Sequence, residues 1–239
     1  MFIHLYEIPS KAQNTTDDVY MYYRDFNFPI PHKHILVKEN MHSDDFLRIY
    51  LKYYNPNKNF CSHLLVMKDN THEFILTDAA MNISPSLQDY VKIIDNAVNF
   101  YKKTNQDYQS ARLDGITPMI HVNFLTHSGE FDIRNQVSCN AQLLKTHYEY
   151  NSSDIYFTMD QMDTCLYPTG KKHVEAYTCP NIIVVPNIDT GNAIYKCLMK
   201  QYQALGFVVG GVVPAVLNSR SNLQMNLFAE NYLGGSGLI

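Results

Sequence analysis

An α/β fold with a mainly parallel sheet and crossover helices is what this sequence predicts, on three observations. Short apolar runs with β-branched content recur from His34 onward, and segments of helical period separate them. The apolar share is 46% against 18% charged, ample for a packed core and far from the composition of a disordered chain. A length of 239 residues allows one large domain or two modest ones.

Residues 1–31 carry the weakest pattern. Ser10 to Asp18 is polar and turn-rich, and Tyr20, Tyr22 and Tyr23 precede Pro29 and Pro31, so at most one short element is expected there. The strand candidates follow in order: Ile35–Val37, Leu64–Met67, Phe74–Leu76, Ile120–Phe124, Ile155–Phe157, Ile182–Val185 and Phe207–Val209. Phe46, Leu47, Tyr50 and Leu51 share one face of a helix that Ser43 or Asp44 is placed to cap. Ser84-Pro85 reads as an N-cap followed by proline at the first helical position, after which Leu87, Val91, Ile94 and Val98 recur at helical spacing. Asp189-Thr190 opens a third helix with Ala193, Ile194, Cys197 and Leu198 inward, and Gly206 is expected to end it. The polar stretch Lys102–Gly115 reads as a linker between two α/β lobes. The expected division is 1–112 plus 213–239 for the first lobe, to which a C-terminal helix returns, and 113–212 for the second.

Charge and cysteine usage narrow the function classes. The net charge is −4 and no basic block is longer than the Lys171-Lys172 pair, so neither nucleic acid nor an anionic membrane is an expected partner. No apolar run reaches the ~18 residues of a membrane span, and the first seven residues lack the basic start of a signal peptide. Five scattered cysteines without a C-x-x-C pair suit a reduced, cytoplasmic chain and give neither a disulfide framework nor a zinc site. His32-Lys33-His34 is an incomplete metal site, and His121, inside an apolar strand, reads as a hydrogen-bonded core residue. Gly206, Gly210 and Gly211 read as tight turns at both ends of a strand, because the third glycine and the helix of a dinucleotide fingerprint are missing.

Polar residues just beyond strands are the better guide to chemistry. Thr77-Asp78, Asn187-Ile188-Asp189-Thr190-Gly191-Asn192 and Ser219-Arg220 all follow apolar strands, where open α/β sheets bind ligands. An arginine fork beside a hydroxyl is a good phosphate anchor. Lys38 follows a strand too, and attracting an anion or being solvated are equal readings for it.

The run Pro180–Lys196, with Pro186, Asp189, Gly191, Asn192, Tyr195 and Lys196, resembles the signature of the phosphate acetyltransferase and phosphate butyryltransferase family. So does Gly206–Arg220, ending in Ser219-Arg220, while Leu76–Pro85, Ser62-His63 and Phe46-Leu47-Arg48 are similar to the butyryltransferase branch. The resemblance runs colinearly from His34 to Arg220 and is weak over Gly115–Lys172. It implies a two-lobed fold like that of isocitrate and isopropylmalate dehydrogenases, a homodimer, and acyl transfer between coenzyme A and inorganic phosphate. Those two are substrates; no metal and no permanently bound cofactor is implied. Ser219 and Arg220 would grip phosphate, with Arg48 as a second cationic contact and Ser43, Lys38, Asp78, Asp189 and Asn192 as further substrate-binding positions. Measured against the family, the chain is expected to be shortened at the N-terminus. Glu39 stands where the family has glycine, and Asn226 stands where the acetyltransferases have a catalytic aspartate. An amide cannot take a thiol's proton. A non-catalytic paralogue that binds coenzyme A, an acyl phosphate or a protein partner is the competing class. A nicotinamide-dependent dehydrogenase of the same fold is a third, for which the carboxylates of a metal site are missing.

Overall fold

The computed structural model describes residues 2–5, 35–38, 41–161, 179–218 and 223–234. The sequence expectations for His32–His34, Glu39, Lys171-Lys172 and Ser219-Arg220 fall outside the described residues. Along the chain come β1 (Phe2–Leu5), β2 (Ile35–Lys38), α1 (Ser43–Ile49), a π-helical turn (Tyr50–Tyr54), β3 (Ser62–Lys68), β4 (Glu73–Thr77), α2 (Leu87–Thr104) and α3 (Gln106–Leu113). After these come β5 (Ile120–Leu125), α4 (Gln136–Asn151), β6 (Ile155–Asp160), β7 (Ile182–Val184), α5 (Ile188–Leu198), β8 (Gln203–Val209), β9 (Ala215–Val216) and α6 (Leu223–Gly234).

The residues form two compact units, 1–59 with 205–239, and 60–204. These limits do not coincide with the expected division at 112/113 and 212/213. The reason lies in the polar stretch after α2. It is not a linker: α2 runs on to Thr104, and Asn105 then caps α3 by accepting from Tyr108 N at 2.8 Å. β5 beyond it pairs with β7, which pairs in turn with β4, so the second unit is one continuous sheet across that region.

In the second unit the strand order is β3-β4-β7-β5-β6, parallel apart from the β3–β4 hairpin. The strands were legible as unbroken apolar runs because both faces are covered. One face carries Leu65, Met67, Phe74, Leu76 and Ile183, packed with Tyr195 of α5 and with Tyr202. On the other, Tyr90 of α2 meets Phe124 edge-on at 5.0 Å, and Tyr148 of α4 stacks on Phe157 at 5.6 Å.

Local signals shift by a residue or two. The cap of α2 is Ser86, not Ser84: its hydroxyl accepts from Asp89 N and the Asp89 carboxylate accepts from Ser86 N, a reciprocal box that Ser84 cannot form from its position. α1 starts at Ser43 with His42 in the cap position and no side-chain cap, so neither Ser43 nor Asp44 plays that part. Asn187, not Asp189, caps α5 by accepting from Thr190 N at 2.8 Å. The buried side of α5 is Gly191 and Tyr195 with Ile194 and Leu198, while Ala193 and Cys197 are exposed. α5 ends at Leu198; Gly206 lies inside β8 rather than at a strand end, and only Gly210, at φ 90°, makes the expected turn.

The first unit orders its strands β1-β2-β9-β8, with β9–β8 antiparallel and the others parallel. Its core gathers Leu36, Val37, Phe46, Tyr50, Phe207 and Val216, all at most 1% exposed. The Tyr50 hydroxyl donates to Val213 O at 2.7 Å, which fastens the π-helical turn to the segment before β9.

Gly191 sets how closely α5 approaches the turn after β4. A Cβ added there would lie 3.0 Å from Val185 Cγ2 and 3.1 Å from Ala79 Cα, inside normal contact with a backbone atom that cannot swing away. Gly191→Ala gains up to about 1 kcal/mol in an open helix. Here overpacking is expected to reverse the sign, with a net loss of about 1–3 kcal/mol in urea unfolding. An unchanged or raised midpoint would show that the turn can yield.

Candidate functional site

β2 and β9 run parallel, so their carboxyl ends share one edge of the first unit, and polar side chains are buried there. Lys38 ends β2, Asn218 lies just past β9, and Asn226 comes from α6; they are 3%, 3% and 0% exposed. Lys38 Nζ donates to the Asn218 carbonyl at 3.2 Å. Asn218 Nδ2 donates to Asn226 Oδ1 at 3.0 Å, and Asn226 Nδ2 donates to Lys38 O at 3.1 Å, closing a ring of three residues. The Asn218 side-chain oxygen also accepts from Gly206 N of β8 at 2.8 Å. A lysine and two carboxamides are thus held in an apolar setting by mutual bonds, the condition on which buried polar groups are tolerated.

Of the sequence-predicted site residues, Lys38 and Asn226 are therefore brought into direct contact. Asn218 is the partner that sequence reasoning missed. Its neighbours in sequence, Ser219 and Arg220, lie outside the described residues. Ser43 opens α1, half-buried. Arg48 is exposed, pairs with Asp45 at 2.8 Å, and lines an open pocket with Leu51, Lys52, Asn55, Lys58 and Asn59. Lys52 and Lys58 add to its charge; spacing alone gave no reason to group them with it.

The remaining candidates belong to the second unit. β4 and β7 are parallel, so Asp78 after β4 and Asn187 after β7 stand at equivalent ends. Asp78 is 2% exposed and takes the left-handed backbone, at φ 28°. That conformation is costly for most residues and easier for aspartate, whose side chain bonds its own turn. The carboxylate accepts from Met81 N at 3.0 Å, from Asn82 N at 3.2 Å and from Asn82 Nδ2, which also donates to Cys61 O. Burial pushes the Asp78 carboxyl above its ordinary pKa, against the bonds from Asn82 and Met81 that pull it down. Ile188 N of α5 donates to Ile83 O, joining the turn to the helix start. Asp189 and Asn192 are exposed on α5. His121, read as hydrogen-bonded, meets Thr158 Oγ1 at 2.8 Å.

Among the described residues, no three His, Cys, Asp or Glu side chains converge as metal ligands. No helix there is long and apolar enough to cross a membrane.

No family model matches the chain. Among curated proteins it is similar to a phosphate acetyltransferase of Rickettsia felis, 24% identical over 78% of this chain and 54% of that protein. It is also similar to one of Mycoplasma genitalium, 26% identical over 64% of this chain and 48% of that protein. The chain thus spans about half the length of the curated relatives it matches. Among solved structures, a branched-chain phosphotransacylase from Enterococcus faecalis superposes with a TM-score of 0.63 at 24% identity, covering 83% of this chain and 71% of that one. A phosphotransacetylase from Streptococcus pyogenes gives 0.60 at 18%, covering 82% and 60%. These structures share the fold.

The raised Asp78 pKa has a signed consequence. A carboxyl whose folded pKa exceeds its unfolded one adds stability below the unfolded value and loses it as pH rises through the folded one. The melting advantage of the native chain over Asp78→Asn should therefore shrink as the pH is raised above about 4. An advantage that grows over that range would mean that the turn's N–H groups outweigh burial.

Proposed function

From its membership of the phosphate acetyltransferase and butyryltransferase family, we propose that this chain transfers an acyl group between coenzyme A and inorganic phosphate. The observation that carries the reading is the edge shared by β2 and β9. Lys38 and Asn218 meet there, and the chain passes from Asn218 directly into Ser219-Arg220. That is the edge at which parallel α/β sheets bind ligands. The arginine fork and the serine hydroxyl hold phosphoryl oxygens through charge-assisted bonds and leave the acyl carbon open. Lys38 adds positive charge at the same edge. Arg48, with Lys52 and Lys58, offers a second cationic patch for an anionic part of the substrate. Asp78 serves through the turn that it holds, and Ser43, Asp189 and Asn192 are the remaining contacts of this reading.

In the transfer to coenzyme A, the thiolate sulfur attacks the acyl carbon, a C–S bond forms, the C–O bond to phosphate breaks, and phosphate leaves. In the reverse direction a phosphate oxygen attacks the thioester and the thiolate leaves. The thiol must first lose its proton, and a thiol of pKa about 8.5 is mostly protonated at neutral pH. Asn226 is a carboxamide with nitrogen and oxygen both engaged, so it takes no proton. Deprotonation is then left to solvent or to a displaced group such as His42, and slow transfer is the expectation.

The same reading includes a two-lobed α/β fold of the isocitrate and isopropylmalate dehydrogenase type, with its boundaries at those of the two units and not at 112/113 and 212/213. It also includes a cytoplasmic location, the absence of a permanently held cofactor, and a homodimer. Exposed apolar side chains such as Leu113 and Ile116, 88% and 59% accessible, support pairing. The same buried amide at 226 favours a second reading, a non-catalytic paralogue that binds coenzyme A or an acyl phosphate.

The test is transfer from acetyl-, butyryl- and longer acyl-CoA to phosphate, beside a relative with aspartate at the position of Asn226. Loss of general-base catalysis predicts a rate about 10²–10⁴-fold lower that rises with pH as thiolate accumulates. Arg220→Ala should abolish stabilisation by phosphate in a melt. Phosphate stabilisation without transfer from any acyl-CoA would favour the second reading.

A further inference from the structure

α1 and the π-helical turn after it divide their side chains between core and water. Phe46 and Tyr50, both 0% exposed, stack at 6.4 Å and face inward, and the Tyr50 hydroxyl on Val213 O holds them there. Arg48, Leu51 and Lys52 are exposed, and spacings of three and four residues put them on one outward face. The loop that follows completes a wall with them. Asn55, 1% exposed, uses both ends of its carboxamide on Asn59, donating to Asn59 O at 2.8 Å and accepting from Asn59 N at 3.2 Å. Lys58 N donates to Asn55 O at 3.0 Å, and Lys58 takes the left-handed backbone at φ 52°. A lysine stays in that conformation only where its surroundings fix it, and the Asn55 bonds do so.

The result is an open cavity of about 640 Å³ with Arg48, Lys52 and Lys58 on its lining. Arg48 gives one edge of its fork to Asp45, Nη2 to Oδ1 at 2.8 Å, and Lys52 Nζ lies 5.0 Å from the centre of the Tyr53 ring. The whole chain carries a net charge of −4, so three cations against one acid are a local reversal of sign. Size then decides between anions. A single phosphate would leave most of this volume to water, whereas pockets of roughly 300–1,000 Å³ take molecules of nucleotide size. Leu51, 45% exposed, puts an apolar side chain on the same lining, which a base or sugar can cover and a bare phosphate cannot.

We propose that this cavity is the subsite for the nucleotide end of coenzyme A, with Arg48, Lys52 and Lys58 on its phosphates and Leu51 against its apolar surface. The assignment rests on the acyl-transfer reading and gives the second cationic patch its ligand. The nucleotide end takes no part in bond making, so the subsite contributes binding that is equal in the ground state and the transition state. Loss of such binding raises KM and leaves kcat unchanged.

The test compares the native protein with Lys52→Gln, Lys58→Asn and the double variant. Each substitution removes one charge, and glutamine suits a helical backbone as asparagine suits a left-handed one. The KM for acetyl-CoA should rise about tenfold in the double variant, with kcat and the KM for phosphate near native. Acetyl-pantetheine, which lacks the nucleotide, should serve native and variant equally well. In calorimetry, adenosine 3′,5′-bisphosphate should bind the native protein more tightly than inorganic phosphate does, with an affinity that falls as salt is raised. The double variant should lose about tenfold of that affinity, and Lys58→Arg should keep it.

A native KM for acetyl-CoA in the double variant, while the native protein transfers acyl groups, overturns the subsite and leaves the acyl-transfer reading standing. An equal rise in the KM for phosphate, or the same defect with acetyl-pantetheine, also overturns it, by showing a general field or a disturbed fold. A native protein that binds the bisphosphate through these lysines and transfers nothing keeps the subsite and removes the transfer reading. One that neither transfers nor binds the bisphosphate overturns both. Should the double variant not fold, the native titration decides, and a bisphosphate bound no more tightly than inorganic phosphate is the opposing result.

Discussion

A carboxamide with no access to water needs both a donor and an acceptor nearby, and Asn226 finds them in Asn218 Nδ2 and Lys38 O. Much of the first unit is arranged around that requirement. β2 must end at Lys38, β9 must stop in time for Asn218 to turn inward, and α6 must present Asn226 at the matching height. Val37, Val216, Phe207 and Ala229 on the same elements are buried as well, and burial of the three polar side chains raises the cost of any missing bond. Three polar side chains therefore specify a register that apolar packing alone would leave looser.

The second unit reaches order at its strand ends by different means. Asp78 holds a strained left-handed turn, offset by bonds to Met81 and Asn82. Gly191 gives up a side chain so that α5 can press on that turn. The capping box of Ser86 and Asp89 then fixes the start of α2 a few residues on. These bonds span three or four residues, in contrast to the long-range ties of the first unit.

That contrast explains what could be read from the sequence. Buried strands such as Leu64–Met67 and Ile182–Val185 were plain, because apolar runs between turn residues have few other homes. β9 was legible only as the short apolar run after Pro214 that leads to Ser219-Arg220: Ala215-Val216 is too short to carry a period, and its strand pairing comes from β2 and β8 on either side. α3 hid in a polar stretch whose helical signal was its cap, Asn105, and not its apolar face. On α5 the choice of Ala193 and Cys197 as inward residues failed because the helix packs through Gly191, which approaches Val185 and Ala79 and has no apolar side chain to mark that face. In the site, Lys38 and Asn226 were named for their places in motifs, whereas Asn218 carried no local signal. Its importance comes from closure across the chain, which periodicity cannot reveal.

The two units also differ in when they can form. Residues 60–204 are continuous in sequence, so β3, β4, β5, β6 and β7 and the pairings among them are all available once that stretch leaves the ribosome. The first unit is assembled from both flanks, and β2 has no β9 to pair with until the chain beyond residue 205 is synthesised. During that interval Ile35, Leu36 and Val37 are a strand without its inner neighbour, and the Lys38 ammonium has no Asn218 carbonyl to receive it. Translation thus imposes an order on this fold: the unit interrupted in sequence is the last to have all its strands.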